Sequence, residues 1–260
     1  MEAETNAHWT AGNPDLFANL CGAYSSWVLR FPSSQVVPEP EILLIDSGTQ
    51  SGEVNVGYLL RESDPAFAID RAQKFFHGKS RPWRIEAPFA PTERVELAMQ
   101  SAGLTERSPR PSFVLDRSEF RTASPSPDLT VQEVDSEESA RVFMATAYEG
   151  FTGKLPTVAI PLARATVPSL SLYTGSVDGT PVATAASYRA RGVVGIYAVA
   201  TLERARRHGY GRAITERALR DGFESGCTVS YLQATAAGRP VYEAMGYRRV
   251  FDTVSWSAPR

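Results

Sequence analysis

The chain has 260 residues and a formal net charge of −2, from 27 Lys plus Arg against 29 Asp plus Glu. Hydrophobic residues make up 43% and charged residues 22%, which excludes collagen-like, disordered and polybasic classes. At roughly 100–200 residues per domain, the length allows one large domain or two small ones.

Reading the chain in order, the first 17 residues (MEAETNAHWTAGNPDLF) are acidic and polar. They lack the basic start and apolar run of a signal peptide, and no stretch reaches the ~18 apolar residues of a membrane span. The first ~35 residues match no clear pattern. Residues 41–46 and 54–60 read as strands. Asp64-Pro65 starts a helix carrying Ala68, Ile69, Ala72, Phe75 and Phe76, with Asp as N-cap and Pro in the first turn. A strand at 83–87, a helix at 92–102 stopped by Gly103, and a strand at 113–115 follow. FRTASPSPDLT, residues 120–130, reads as a linker because of its Ser-Pro-Ser-Pro run.

Beyond it, 135–148 is a helix, with Asp135 as N-cap and Glu138 three residues on in a capping-box pattern. A weaker helix covers 158–165. Strands at 170–174 and 181–188 flank the Asp178-Gly179 turn and form a hairpin. VVGIYAVAT, 193–201, is a buried strand. An amphipathic helix covers 209–225, a strand 228–233, a short helix 239–245 ended by Gly246, and a last strand 249–257.

The two halves repeat the same order. An offset of 143 aligns Gly103 with Gly246, the tail from Ser112 with that from Ser255, and one helix start with another. The division this predicts is a domain at 1–119, a linker at 120–128 and a domain at 129–260.

Chemistry concentrates at Val199 to Arg212, VATLERARRHGYGR. A strand enters a loop holding Arg204, Arg206, Arg207 and Arg212. Two glycines, Gly209 and Gly211, then open a helix. The first N–H groups of a helix lack internal partners and favour negative charge, glycine lets an anion approach, and arginine adds paired donors. On these residues alone, an anion cradle and a loop of solvated arginines both remain open. There is no GxxxxGK[ST] P-loop. Ile214 stands where a dinucleotide fingerprint needs Gly or Ala. Cys21 and Cys227 form no CxxC or Cys/His cluster, and His8, His77 and His208 are not paired at i, i+4, so no metal is expected. Cys227 reads as a buried structural thiol, and this cysteine usage fits a reducing, cytoplasmic location.

Arg206-x-x-Gly209-x-Gly211 after Val199-Ala200-Thr201 resembles the pyrophosphate signature of the GCN5-related N-acetyltransferase (GNAT) superfamily. Downstream, LQATAAGRPVYEAMGYRRV, residues 232–250, resembles that family's Y-x-x-x-G-[FY] ending. The resemblance covers about 129–260. It implies an α/β fold: two tandem GNAT-like domains, each a mixed, mostly antiparallel sheet flanked by helices. It also implies acetyl-CoA as co-substrate, lying where the strands at 193–201 and 228–233 splay apart. Val199, Ala200 and Thr201 would hold the pantetheine arm. Arg206, Arg207, His208, Gly209, Tyr210, Gly211 and Arg212 would wrap the pyrophosphate, with His208 contributing backbone rather than ring. Glu203, where many members have proline, is the one departure. Tyr242 matches the tyrosine that protonates the departing thiolate, while Glu149 and Tyr197 are candidate bases or substrate-lining residues.

In the first half the offset replaces Arg206 by Ser63, Gly209 by Ala66, Gly211 by Ala68 and Tyr242 by Met99. That half resembles a degenerate GNAT domain without anion loop or acid, so one coenzyme site per chain is expected. The expected activity is N-acetyl transfer to a primary amine of a small molecule, amino acid, peptide or natural product, by a monomer or homodimer that binds neither nucleic acid nor membrane. A non-catalytic acyl-CoA-binding regulator and other acyl-CoA chemistry on the same fold are the alternatives.

Overall fold

The computed structural model describes residues 13–122, 128–154, 167 and 169–259. They fall into two compact units, Met1–Ser112 with Arg249–Arg260, and Phe113–Arg248. The boundaries lie inside two strands rather than at the 120–128 segment expected as a linker. Residues 123–127 of that segment and the helix expected at 158–165 lie outside the described residues.

The first unit contains α1 (Pro14–Val28), β1 (Gln35–Pro38), β2 (Ile42–Asp46), β3 (Val56–Leu59), α2 (Pro65–Phe76), β4 (Arg84–Ala87), α3 (Glu93–Ser101) and most of β5 (Glu106–Asp116). The second holds the end of β5, then β6 (Leu129–Glu133), α4 (Glu137–Thr152), β7 (Leu170–Val177), β8 (Thr180–Ala190), β9 (Val193–Thr201), α5 (Tyr210–Glu224), β10 (Val229–Gln233) and α6 (Arg239–Ala244). The last strand of the chain, β11 (Arg248–Ser257), lies almost wholly in the first unit.

Strand order is β1-β2-β3-β4-β11 in the first unit, and the end of β5 followed by β10-β9-β8-β7-β6 in the second. β3 is parallel to β4 and β9 to β10, while the hairpin and meander pairs are antiparallel. Each unit is therefore a mixed, mostly antiparallel sheet flanked by helices, as expected. The offset of 143 lays α2, β4, α3 and β5 over α5, β10, α6 and β11. β11 lies almost wholly in the first unit and β5 is divided between the two, so a division along the chain does not match the compact units.

Local chemistry explains most elements. Asp64 accepts the Phe67 N–H at 3.0 Å and Pro65 opens α2. Asp178 and Gly179, at φ 48° and 75°, make the two-residue turn between β7 and β8. The cap of α4 is Ser136 rather than Asp135. Its Oγ accepts from Ser139 N–H at 3.2 Å, and Ser139 Oγ accepts from Ser136 N–H at 3.0 Å. The box is Ser-x-x-Ser because a hydroxyl, like Glu, can reach back to the cap N–H.

Sequence reasoning missed α1, although Asn13 accepts from Asp15 and Leu16 N–H groups and Pro14 follows it. β5 was expected only at 113–115, because Pro109 and Pro111 break the strand pattern over its exposed half. The first core gathers Ile42, Leu44, Ile69, Ile85, Met99 and Trp256; the second gathers Phe113, Tyr173, Ile214, Leu219, Leu232 and Tyr247.

The repeats share one turn in atomic detail. Leu104 N–H bonds Met99 C=O at 2.9 Å, and Tyr247 N–H bonds Tyr242 C=O at 3.0 Å. Gly103 and Gly246 hold φ at 77° and 102°. A Cβ at Gly103 meets nothing within 4 Å, whereas one at Gly246 would sit 2.5 Å from the Glu119 carbonyl oxygen. Gly103→Ala should cost only the left-handed penalty, about 1–2 kcal/mol. Gly246→Ala should cost clearly more, because backbone must also move. Chemical denaturation of both variants checks this, and equal losses would contradict it.

Candidate functional site

β9 and β10 run side by side for three rungs only, Val193–Gly195 against Val229–Tyr231. β9 then continues to Thr201 and β10 to Gln233 without further register. The strands diverge, and the edge of β9 toward β10 is left without a strand partner. This is the splay expected from the resemblance.

A bulge lies on the other edge of β9. Register passes from Thr184↔Ala200 to Ala186↔Tyr197, so Ala198 and Val199 together oppose Ala185. Ala198 takes φ 49°, and the Thr184 hydroxyl donates to its carbonyl at 3.0 Å. An extra residue bends a strand and re-aims the groups after it. Val199, Ala200 and Thr201 follow this bend. Neither Ala198 nor Thr184 carries a sequence signal, since alanine does not favour positive φ.

The loop after β9 starts with a 3₁₀ turn, Glu203–Ala205. Ala205 and Arg206 N–H groups bond Leu202 and Glu203 carbonyls at 2.8 and 3.2 Å. Arg207 then takes φ 72°, and Gly209 φ 80°. Left-handed residues of this kind turn successive N–H groups toward one side, the geometry of an anion-binding nest. The first helical bond of α5 is Ala213 N–H to Gly209 C=O at 3.0 Å, so the N–H groups of Tyr210, Gly211 and Arg212 precede the helical ladder. Gly209 supplies no side-chain cap. A Cβ on Gly211 would lie 3.1 Å from Thr201 Oγ1, which leaves little room there for a side chain.

The corresponding helix start in the first unit is closed. The Asp64 carboxylate already occupies the N-terminus of α2, and Pro65 removes one donor. A carboxylate stands where α5 leaves its donors open.

The four loop arginines are not equivalent. Arg204 is tied to Glu149 Oε1 at 2.5 Å. Arg212 is tied to Glu216 at 2.8 Å and to the Arg121 carbonyl at 2.9 Å. Arg206 Nε donates to Thr201 C=O at 3.2 Å, and Arg207 is exposed. His208 Nδ1 lies 2.9 Å from the Arg206 carbonyl, and its ring stacks on Tyr210. The Tyr210 hydroxyl donates to Asp128. His208 and Tyr210 thus brace the loop, and Arg206 and Arg207 are the arginines without a carboxylate partner among the described residues.

Tyr242 lies on α6, buried, with its ring edge-on to Tyr247 at 5.7 Å. Burial pushes its phenol up to about 12, because the ionised form loses solvation. It therefore stays protonated, a proton donor at neutral pH. Of the candidate bases, Tyr197 is half-buried beside the bulge. Glu149 is held by Arg204, at the place where α4 rests on β9: a Cβ on Gly150 would lie 2.7 Å from the Ala200 Cβ. Cys227 and Cys21 are buried free thiols, each raised by burial. Among the described residues, no group of three His, Cys, Asp or Glu could hold a metal, and no helix is long and apolar enough to cross a membrane.

Residues 140–247 match the family model described as acetyltransferase (GNAT) family. No curated protein matches the chain. Among solved structures, the chain is similar to a GCN5-related N-acetyltransferase from Kribbella flavida, with 21% identity, TM-score 0.69 and coverage of 94% of this chain and 95% of that one. An acetyltransferase of the GNAT family from Novosphingobium aromaticivorans has 16% identity and TM-score 0.61, over 95% and 97% of the two chains. A GCN5-related N-acetyltransferase-like protein from Streptococcus suis has 15% identity and TM-score 0.56, over 92% and 96%. At these identities the likeness is one of fold, extending over both units, while the family model falls on the unit with the open loop. Residues 140–247 thus match the acetyltransferase (GNAT) family, within a chain that shares the fold of GNAT acetyltransferase structures.

Proposed function

We propose that the chain transfers an acetyl group from acetyl-CoA to a primary amine of a small molecule, amino acid or peptide. The observation that carries this reading is the uncapped, left-handed entry to α5 beside the unpaired edge of β9, with a protonated phenol on α6 of the same unit. GNAT chemistry is acyl transfer, and these features fit an acyl-CoA. Backbone N–H groups from Arg207 to Arg212 suit a pyrophosphate, and the free edge of Val199–Thr201 suits the amide-bearing pantetheine arm.

In the reaction, the neutral amine attacks the thioester carbonyl. The new C–N bond forms, the C–S bond breaks, Tyr242 gives its phenolic proton to the leaving thiolate, and the proton that the nitrogen sheds on becoming an amide passes to water, from which Tyr242 is reprotonated. The amine must first lose its ammonium proton, to water or to Tyr197 or Glu149. Glu149 can take part only if its ion pair with Arg204 opens.

Three results test this reading. Release of free thiol from acetyl-CoA should accelerate with at least one member of a panel of spermidine, glucosamine, free amino acids and a peptide with a free N-terminus. Tyr242→Phe should then lower kcat on the order of 10²-fold while acetyl-CoA still binds. Unchanged turnover would remove the acid role. Calorimetry should find one acetyl-CoA per chain, because Asp64 closes the other helix; two would refute the assignment.

The pH dependence has a definite sign. Burial raises the Tyr242 phenol, so its proton is retained well above the ordinary phenol range. The ratio of wild-type to Tyr242→Phe turnover should stay flat from pH 7 to pH 10. A collapse of that ratio between pH 8 and pH 10 would mean that the phenol loses its proton in the ordinary range and is not raised by burial.

A further inference from the structure

Behind Tyr242 lies a pair of hydroxyls that the reaction above does not use. Tyr247 and Ser230 hydroxyls are 2.6 Å apart, both buried. Ser230 Oγ also donates to the Val194 carbonyl at 2.9 Å. Ser230 and Val194 face each other in the middle rung of the three that join β10 to β9, one rung before the strands part. The Tyr247 ring in turn meets the Tyr242 ring edge-on at 5.7 Å. One chain of contacts therefore runs from the last paired stretch of β9 through Ser230 and Tyr247 to the proposed acid.

The first repeat supplies an internal control. At the same offset, Ser230 becomes Ala87, Tyr242 becomes Met99 and Tyr247 becomes Leu104. All three are buried in the apolar core of the first unit. The turn after α3 nevertheless keeps the same backbone bond and the same left-handed glycine as the turn after α6. Parallel pairing over three rungs is also kept, Val56–Tyr58 against Arg84–Glu86. The fold thus forms without any of the three hydroxyls. A buried hydroxyl costs free energy unless it is hydrogen-bonded, so nothing in the scaffold alone requires Ser230 and Tyr247 to be polar. They are polar together, in the repeat whose helix start is open.

We infer that Ser230 and Tyr247 are positioning residues, which hold the Tyr242 ring in its reactive orientation. Tyr247 touches no reacting atom in this scheme. It acts by restricting the ring beside it, with Ser230 fixing its own hydroxyl to β9. The inference rests on the acetyl-transfer reading above.

The test uses the double variant Ser230→Ala/Tyr247→Phe, which removes both partners and strands no buried hydroxyl, as Ala87 and Leu104 do in the first repeat. Its melting temperature should stay within a few degrees of wild type, and its calorimetric affinity for acetyl-CoA within about threefold. Its kcat, measured by thiol release with the best amine of the panel, should fall about tenfold with KM little changed. In the Tyr242→Phe background the same pair of changes should have almost no further effect on kcat. A purely structural role would move both backgrounds alike. Tyr247→Phe alone gives a second folded sample, and ¹³C-labelled tyrosine spectra of it should show the Tyr242 signal, identified by its loss in Tyr242→Phe, shifted or broadened without any amine present. Undiminished kcat in the double variant, an equal drop in both backgrounds, or an unmoved Tyr242 signal would overturn the inference. If instead Tyr242→Phe itself leaves turnover intact, it is the acid reading that fails.

Discussion

The parting of β9 from β10 after three rungs is the constraint on which the rest of the second unit depends. A parallel pair normally continues while both strands last, because each unpaired backbone group must find another partner. Here β9 is turned aside by the bulge at Ala198, and Thr184 takes the carbonyl that the bulge leaves out of the ladder. The unpaired edge opens onto the same loop that leads into α5. An amide-rich, anionic ligand is the kind of partner that such an edge and such a helix start lack.

The two repeats share an element order, yet this arrangement is found in one of them. Both repeats fold a parallel pair, a helix after its first strand, a second helix and a closing strand, and the second closing strand, β11, falls almost wholly in the first unit. What differs is small and chemical. At the offset of 143, Asp64 and Pro65 take the places of Arg207 and His208, and Met99, Leu104 and Ala87 those of Tyr242, Tyr247 and Ser230. The first unit instead invests its buried polarity in structure: Arg84 pairs with Glu86 at 3.0 Å, and Thr253 of β11 donates to the same carboxylate at 3.0 Å. A buried pair of that kind is strongly destabilising to break, which ties β4 and β11 together within the unit.

Much of this was legible in the residues. The alternation of helix and strand, the αL glycines at Gly103 and Gly246, the Asp64-Pro65 cap and the Asp178-Gly179 turn all follow from local rules that leave a mark in composition. The anion loop was legible because glycine and arginine are needed at fixed spacing. What stayed hidden has no such mark. Ala198 and Arg207 adopt positive φ that only their surroundings impose. The pairings of Arg204 with Glu149 and of Ser230 with Tyr247 join residues far apart in sequence. The placement of β11 in the first unit is a tertiary choice that strand patterns cannot express, so a division drawn along the chain misses it. Pro109 and Pro111 concealed the long β5, since proline is tolerated on its exposed half.

The central claim is that only the second repeat takes the coenzyme. Backbone amide NMR during titration with coenzyme A tests it most directly. The account predicts large shifts for Val199 to Arg212 and for residues flanking Tyr242, and none for Ser63 to Ala68. Comparable shifts at both helix starts, or at the first alone, would contradict it.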